Sequence, residues 1–172
     1  AFERWGAYNY EQSSGRTYFT GYVPEPTYRM EDSSLPLLWE ESGDKSLMAL
    51  GLASEVLIDN YQEQTITKNS SLILSDGYQL HIMSVDAQGE RAYLELTRYG
   101  EVLDSSTVRP NASFSGDNYC YKTDMGSAKG MVVIAVHFKN AFAGLYDCLA
   151  TCDGVFQISS SPISYSQLES GG

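Results

Sequence analysis

The chain has 172 residues, enough for one ordinary domain or two small ones with a real core. Hydrophobic residues make up 42% and charged residues 19%, which argues against disorder. The net charge of −11 would repel phosphate backbones and anionic membrane surfaces, so nucleic acid is not expected as a partner and cations are the natural company of the surface.

The first 30 residues are crowded with rings: Trp5, Tyr8, Tyr10, Tyr18, Phe19, Tyr22 and Tyr28. In a row and exposed, they could stack on sugars; buried, they are the core of N-terminal strands, and the second reading is preferred. Residues 16–23 read as a strand that Pro24 and Pro26 end. Residues 45–54 have helix-forming composition, but the stretch is short and Gly51 interrupts it, so it is read as a strand-rich or irregular connector. A boundary falls between about residues 40 and 49.

From Val56 onward, strand follows strand. Residues 64–67 and 71–74 are short β-rich runs, and Asp76-Gly77 is a strong turn signal. Residues 78–85 alternate, with Tyr78, Leu80 and Ile82 on one face. A turn at 86–89 leads to residues 91–97, with Ala92, Leu94 and Leu96 facing one way and Tyr93, Glu95 and Thr97 the other, as in a half-buried antiparallel strand. Tyr99-Gly100 turns the chain into a strand at 101–108. Residues 110–116 are read as loop, 118–122 as a short strand and 124–130 as loop. Residues 131–138 are apolar on both faces and predict a central strand. Residues 145–151 and 155–159 complete the set, with a turn at Asp153-Gly154. Turns every 8–12 residues mark a β-sandwich or barrel.

Catalytic signatures are missing. His81 and His137 are the only histidines. His81 has opposite parity to Leu80 and Ile82 and is expected to face solvent; His137 lies in the most apolar strand and reads as a packed, hydrogen-bonded histidine. Neither sits in a nucleophile motif. The adjacent acids Glu31-Asp32 and Glu40-Glu41 read as solvated faces, not as a glycosidase pair. Phosphate-binding glycine loops and calcium-loop spacing are absent. Loose cation binding at Asp86, Asp117 or Asp124 is the one cofactor-like expectation, and no other cofactor is expected. Cys120, Cys148 and Cys152 permit at most one intrachain disulfide, with inert buried thiols as the other reading; their spacing to the histidines is not that of a zinc site. Asn69-Ser70-Ser71 and Asn111-Ala112-Ser113 are N-glycosylation sequons in turns or loops, against the plainer reading of two ordinary loop asparagines. No apolar run of about 18 residues occurs to span a membrane. Residues 1–6 lack a leader pattern, so an exported protein would carry its targeting sequence elsewhere.

The order of motifs carries a resemblance. Leu57-Ile58-Asp59, the run LILSDGYQL at 72–80, Val85-Asp86 with Gly89, YLEL at 93–96, and Gly100 with Val102 resemble the S-layer domain of Methanosarcina-type archaea. Tyr119 and Tyr121, VIAVHF at 133–138 and GVFQIS at 154–159 are similar to its later strands. Trp5-Gly6, Tyr8 and residues 18–22 are similar to its middle portion. The resemblance covers about residues 2–160 and implies the later portion of one repeat, with the opening part preceding Ala1. The three cysteines are not part of the family pattern.

The resemblance implies an all-β, antiparallel β-sandwich that associates with copies of itself into a two-dimensional lattice outside the cell. Such a lattice serves as wall and sieve, carries N-linked glycans, and is anchored by a membrane segment outside this chain. The expected division is a strand-rich segment at 1–48 belonging to a second smaller sandwich or an extension, a sandwich at 49–161 and a tail at 162–172. A structural, non-enzymatic role is expected; a carbohydrate-binding or adhesion module on a similar sandwich is the alternative.

Overall fold

The structure is a computed structural model. It describes residues 9–11, 16–20, 25–26, 38–39, 47, 49–88, 91–110, 114–164 and 166. The fold is all-β. Its strands are β1 (Asn9–Glu11), β2 (Thr17–Phe19), β3 (Glu25–Pro26), β4 (Leu38–Trp39), β5 (Leu52–Asn60), β6 (Gln64–Thr67), β7 (Ser71–Ile73) and β8 (Tyr78–Val85). They continue with β9 (Ala92–Arg98), β10 (Glu101–Val108), β11 (Asn118–Met125), β12 (Ala128–Ala143), β13 (Cys148–Ile158) and β14 (Ile163–Ser164). A four-residue 3-10 turn, Phe114–Asp117, precedes β11.

The chain forms two compact units. One comprises Ala1–Asp59, Cys120–Ile134 and Phe156–Gly172; the other comprises Asn60–Tyr119 and Ala135–Val155. The long strands β12 and β13 supply residues to both.

In the first unit β5 is the hub. It pairs antiparallel with β2 through Tyr18↔Glu55 and Phe19↔Ser54, and with β14 through Ile163↔Ala53. Tyr18 and Ala53 are buried with Ile163 packed against them, and Phe19 meets Phe156 edge-on, with ring centroids 6.2 Å apart. Buried Ser54 donates its hydroxyl to the Ser159 carbonyl at 2.8 Å, and the Ser159 amide donates to the Glu55 carbonyl at 2.8 Å. The helix-like stretch is a turn followed by β5: the amides of Leu50 and Leu52 both donate to the Leu47 carbonyl, and Gly51 takes a φ of 74°.

The second unit is an antiparallel sandwich. One sheet runs β10-β9-β8-β7. Its inward face is Leu72, Leu80, Ile82, Ala92, Leu94 and Leu96, all buried. These are the positions that alternation selects, because successive side chains on a strand point to opposite faces. The facing layer contains β6, paired with β13 through Thr67↔Leu149 to Gln64↔Cys152, and the later half of β12. Tyr119, 1% exposed, ties the layers together: its hydroxyl donates to Asp104 Oδ2 of β10 at 2.8 Å.

Two expected irregular segments are strand. The loop expected at 124–130 is a tight hairpin, with Gly126 at φ 62° and both strands running to its edge. Asp124 Oδ1 accepts the Gly130 amide at 2.9 Å, which holds the two arms in register. The turn expected at Asp153-Gly154 does not form; both residues lie within β13 and are buried. Turn propensity yields there because the Asp153 carboxylate has a buried partner in the sheet. The loop expected over 110–116 ends in the 3-10 turn, and β11 runs on to Met125 instead of stopping at 122.

Candidate functional site

The most polar feature of the second unit's interior is centred on His137. This histidine lies in an eight-residue buried run of β12, Met131 to Phe138, and is 4% exposed. Its Nε2 is 2.7 Å from Asp117 Oδ2, at the end of the 3-10 turn, and its Nδ1 is hydrogen-bonded to Asp153 Oδ1 in β13. A ring that donates through both nitrogens is an imidazolium. Burial by itself would push the His137 pKa down, but the hydrogen bonds and charges of Asp117 and Asp153 outweigh it and hold it above the ordinary 6.5. With both nitrogens committed and almost no exposure, His137 offers no lone pair to a substrate. The cluster is a structural clamp joining β12, β13 and the 3-10 turn.

The outer face of the β7–β10 sheet is different. Ile73, Met83, Tyr93, Val102 and Leu103 are exposed there or at its bulged edges. Bulges at Met83 and Leu103 interrupt the register and re-aim these side chains. An open groove of about 480 Å³ crosses the face, bordered by Lys68, His81, Met83, Glu95, Thr97 and Val102. His81 does lie opposite Leu80 and Ile82; its Nε2 is 3.0 Å from the Thr97 hydroxyl. The tip of the β12–β13 hairpin carries three exposed apolar side chains close together: Phe142 at 58%, Leu145 at 87% and Tyr146 at 95%.

Asn69 is exposed in the turn between β6 and β7. Ser71, the hydroxyl position of its sequon, donates to Gln79 Oε1 at 2.9 Å. Asn111 lies outside the described residues, as do Glu31, Asp32, Glu40 and Glu41. All three cysteines are free thiols, with Cys148 and Cys152 buried. Those two sit four residues apart in one strand, about 13 Å at the rise of a β-strand, too far for a disulfide. Burial pushes the Cys120 thiol up to about 12 against the pull of Lys122, and burial with the Asp153 charge pushes Cys152 up to about 11. Asp86 accepts the Arg91 amide, Asp117 holds His137, and Asp124 accepts the Gly130 amide. Among the described residues, no group of three His, Cys, Asp or Glu side chains converges to hold a metal ion. Of the N-terminal aromatics, Tyr18 and Phe19 are buried; Trp5, Tyr8, Tyr22 and Tyr28 lie outside the described residues, as does the side chain of Tyr10.

That His137 is packed is legible in the sequence; its partners are not. A histidine in an apolar strand requires them, but Asp117 and Asp153 read locally as loop and turn residues. The apolar tip was also missed; its signal is Phe142, Leu145 and Tyr146 bracketing Gly144.

The chain matches the family model of the S-layer protein over residues 1–172. It is 27% identical over 108 residues to the major S-layer protein of Methanosarcina mazei, covering 61% of this chain and 16% of that protein. It is 27% identical over 107 residues to the major S-layer protein of Methanosarcina acetivorans, with the same coverage. The Methanosarcina barkeri protein of that name is 24% identical over 105 residues. The aligned chain thus spans about 16% of the length of the curated relatives it matches. With that match running the full length of an all-β chain, the chain belongs to the S-layer protein family, whose members form the extracellular cell-surface layer.

Proposed function

We propose that this chain is a structural piece of a cell-surface S-layer, associating with copies of itself in a two-dimensional lattice. The observation that carries the reading is the family match over residues 1–172. The interior agrees with a load-carrying role. The buried His137 cluster is a closed clamp, not an open site. The burial of Tyr18 and Phe19 takes two rings away from any sugar-stacking row, and nothing favours a carbohydrate-binding module.

Finer features belong to the same proposal. Asn69 and Asn111 are the glycan acceptors, and exposed Asn69 is well placed for an acceptor in a turn. The sandwich at 49–161 is the tile body, with 1–48 as an extension and 162–172 as a tail. A membrane anchor lies outside this chain. With a net charge of −11, a sheet of such tiles lines its pores with carboxylate and repels anions more than cations.

Immunogold electron microscopy of intact source cells, with antibody raised against the chain, tests the reading. Dense, even label over a periodic surface sheet is expected. Sparse, polar or absent label would overturn it. Unmodified Asn69 and Asn111 in peptides from native protein would remove the glycan assignment alone.

A further inference from the structure

The hairpin tip and the groove are both open, both apolar in part, and both in the second unit. Phe142, Leu145 and Tyr146 fall within five residues of one another and leave most of their surface in water. A cluster of this kind on an acidic chain marks a contact surface, whereas scattered single apolar residues do not. The tip is also preorganised. The Gly144 amide donates to the Asp147 carbonyl at 2.7 Å, and Asp147 Oδ1 accepts the Cys148 amide at 2.8 Å. A fixed turn loses little conformational freedom when it docks.

We propose that the β12–β13 tip of one copy seats in the groove on the outer β7–β10 face of a second copy of this chain. This rests on the S-layer reading, which brings copies together at high local concentration. Three observations single out a second copy as the occupant. First, a chain of net charge −11 repels its own copies, so they can meet only where carboxylates are sparse. Both surfaces qualify: the groove borders Met83 and Val102, and the tip presents two aromatic rings and a leucine. Second, the polar groups complement each other. The Tyr146 hydroxyl suits Glu95 or His81 on the groove floor, while the ring covers apolar surface. Third, Lys68 borders both the groove and the recess beside the tip, so knob and groove are neighbours on one surface. Neighbouring complementary patches allow a two-fold exchange, in which two tips enter two grooves at once. One such contact is smaller than the roughly 1,000 Å² that a stable pair needs. It is therefore weak alone and strong when repeated across a sheet.

Site-directed cross-linking tests the contact. Two full-chain variants, Tyr146→Cys and Val102→Cys, carry tags of different size and are mixed under mild oxidation, with the unsubstituted chain as background. The expected result is a mixed-tag disulfide dimer, several-fold above either same-tag dimer, that disappears when Leu145→Asp is added to the tip variant. Leu145 is 87% exposed, so that substitution leaves the fold intact, which far-ultraviolet circular dichroism verifies. Only same-tag dimers, or no dimer, would overturn the contact and leave the tip to another occupant. Electron microscopy of the same preparations separates the two ideas. Sheets without the mixed dimer sink the contact and keep the S-layer reading. The mixed dimer without sheets under any condition keeps the contact and counts against the lattice.

Discussion

His137 Nε2 lies 2.7 Å from Asp117 Oδ2, across twenty residues of sequence and two strands. That pairing, with Asp153 on the other ring nitrogen, turns a histidine in the most apolar strand into the charged centre of the second unit. It also makes the unit sensitive to pH in a defined direction. The folded His137 pKa is raised above 6.5, so its contribution to stability is complete below pH 6.5 and is lost as pH rises through the folded value. Denaturant midpoints measured from pH 6 to 9 should fall with rising pH by more in the native chain than in His137→Gln. Parallel curves would show that the clamp does not titrate.

Removing one side of the clamp should be costly. Asp153→Ala leaves His137 with one carboxylate and an unmet buried donor. A loss of about 3–5 kcal/mol is expected, the range for breaking a buried pair from one side. Asp153→Asn keeps an acceptor and should lose less. Urea unfolding followed by tyrosine fluorescence measures both; equal stability in all three chains would refute the clamp.

Tyr119→Phe isolates the tie between the sandwich layers. The ring stays buried and only the hydroxyl that donates to Asp104 is lost. A hydrogen bond to a charged group is worth roughly 1.5–3 kcal/mol. Because Asp104 is partly exposed, water can replace the donor, and the lower end is expected. The same unfolding assay reads it.

Gly77 and Gly100 form an internally controlled pair. Both have positive φ, 81° and 86°. A Cβ on Gly77 would meet the Tyr99 ring at 2.2 Å, whereas one on Gly100 has open space. Each alanine carries the left-handed backbone cost of about 1–2 kcal/mol. Gly77→Ala must in addition move the Tyr99 ring, which Arg98 also stacks on. Thermal midpoints should therefore drop further for Gly77→Ala, and the gap should close in a Tyr99→Ala background.

The thiols give a count. Without reductant, denatured chain should bind three equivalents of a thiol reagent, since Cys120, Cys148 and Cys152 are free. One equivalent would mean that two of them are joined. In the folded chain, labelling at pH 8 should be slow at Cys120 and Cys152, whose raised pKa values leave little thiolate.

Strands whose signal is local can be placed from side-chain pattern alone. Residues 64–67, 78–85 and 101–108 carry β-rich or alternating side chains between turn signals, and the observed strands match those limits. The Asp76-Gly77 and Tyr99-Gly100 turns were legible through Asp76, Gly77 and Gly100, residue types that accept the positive φ seen there. Motif order gave the family. Tertiary structure decided what depends on residues far apart in the chain. Asp153 stays in a strand because His137 needs its carboxylate, and Asp117 leaves solvent for the same reason. Alternation assigns a face to Met83 and Leu103 only until a bulge shifts the register. Such pairings exist only once strands are laid side by side, so no window along the chain contains them.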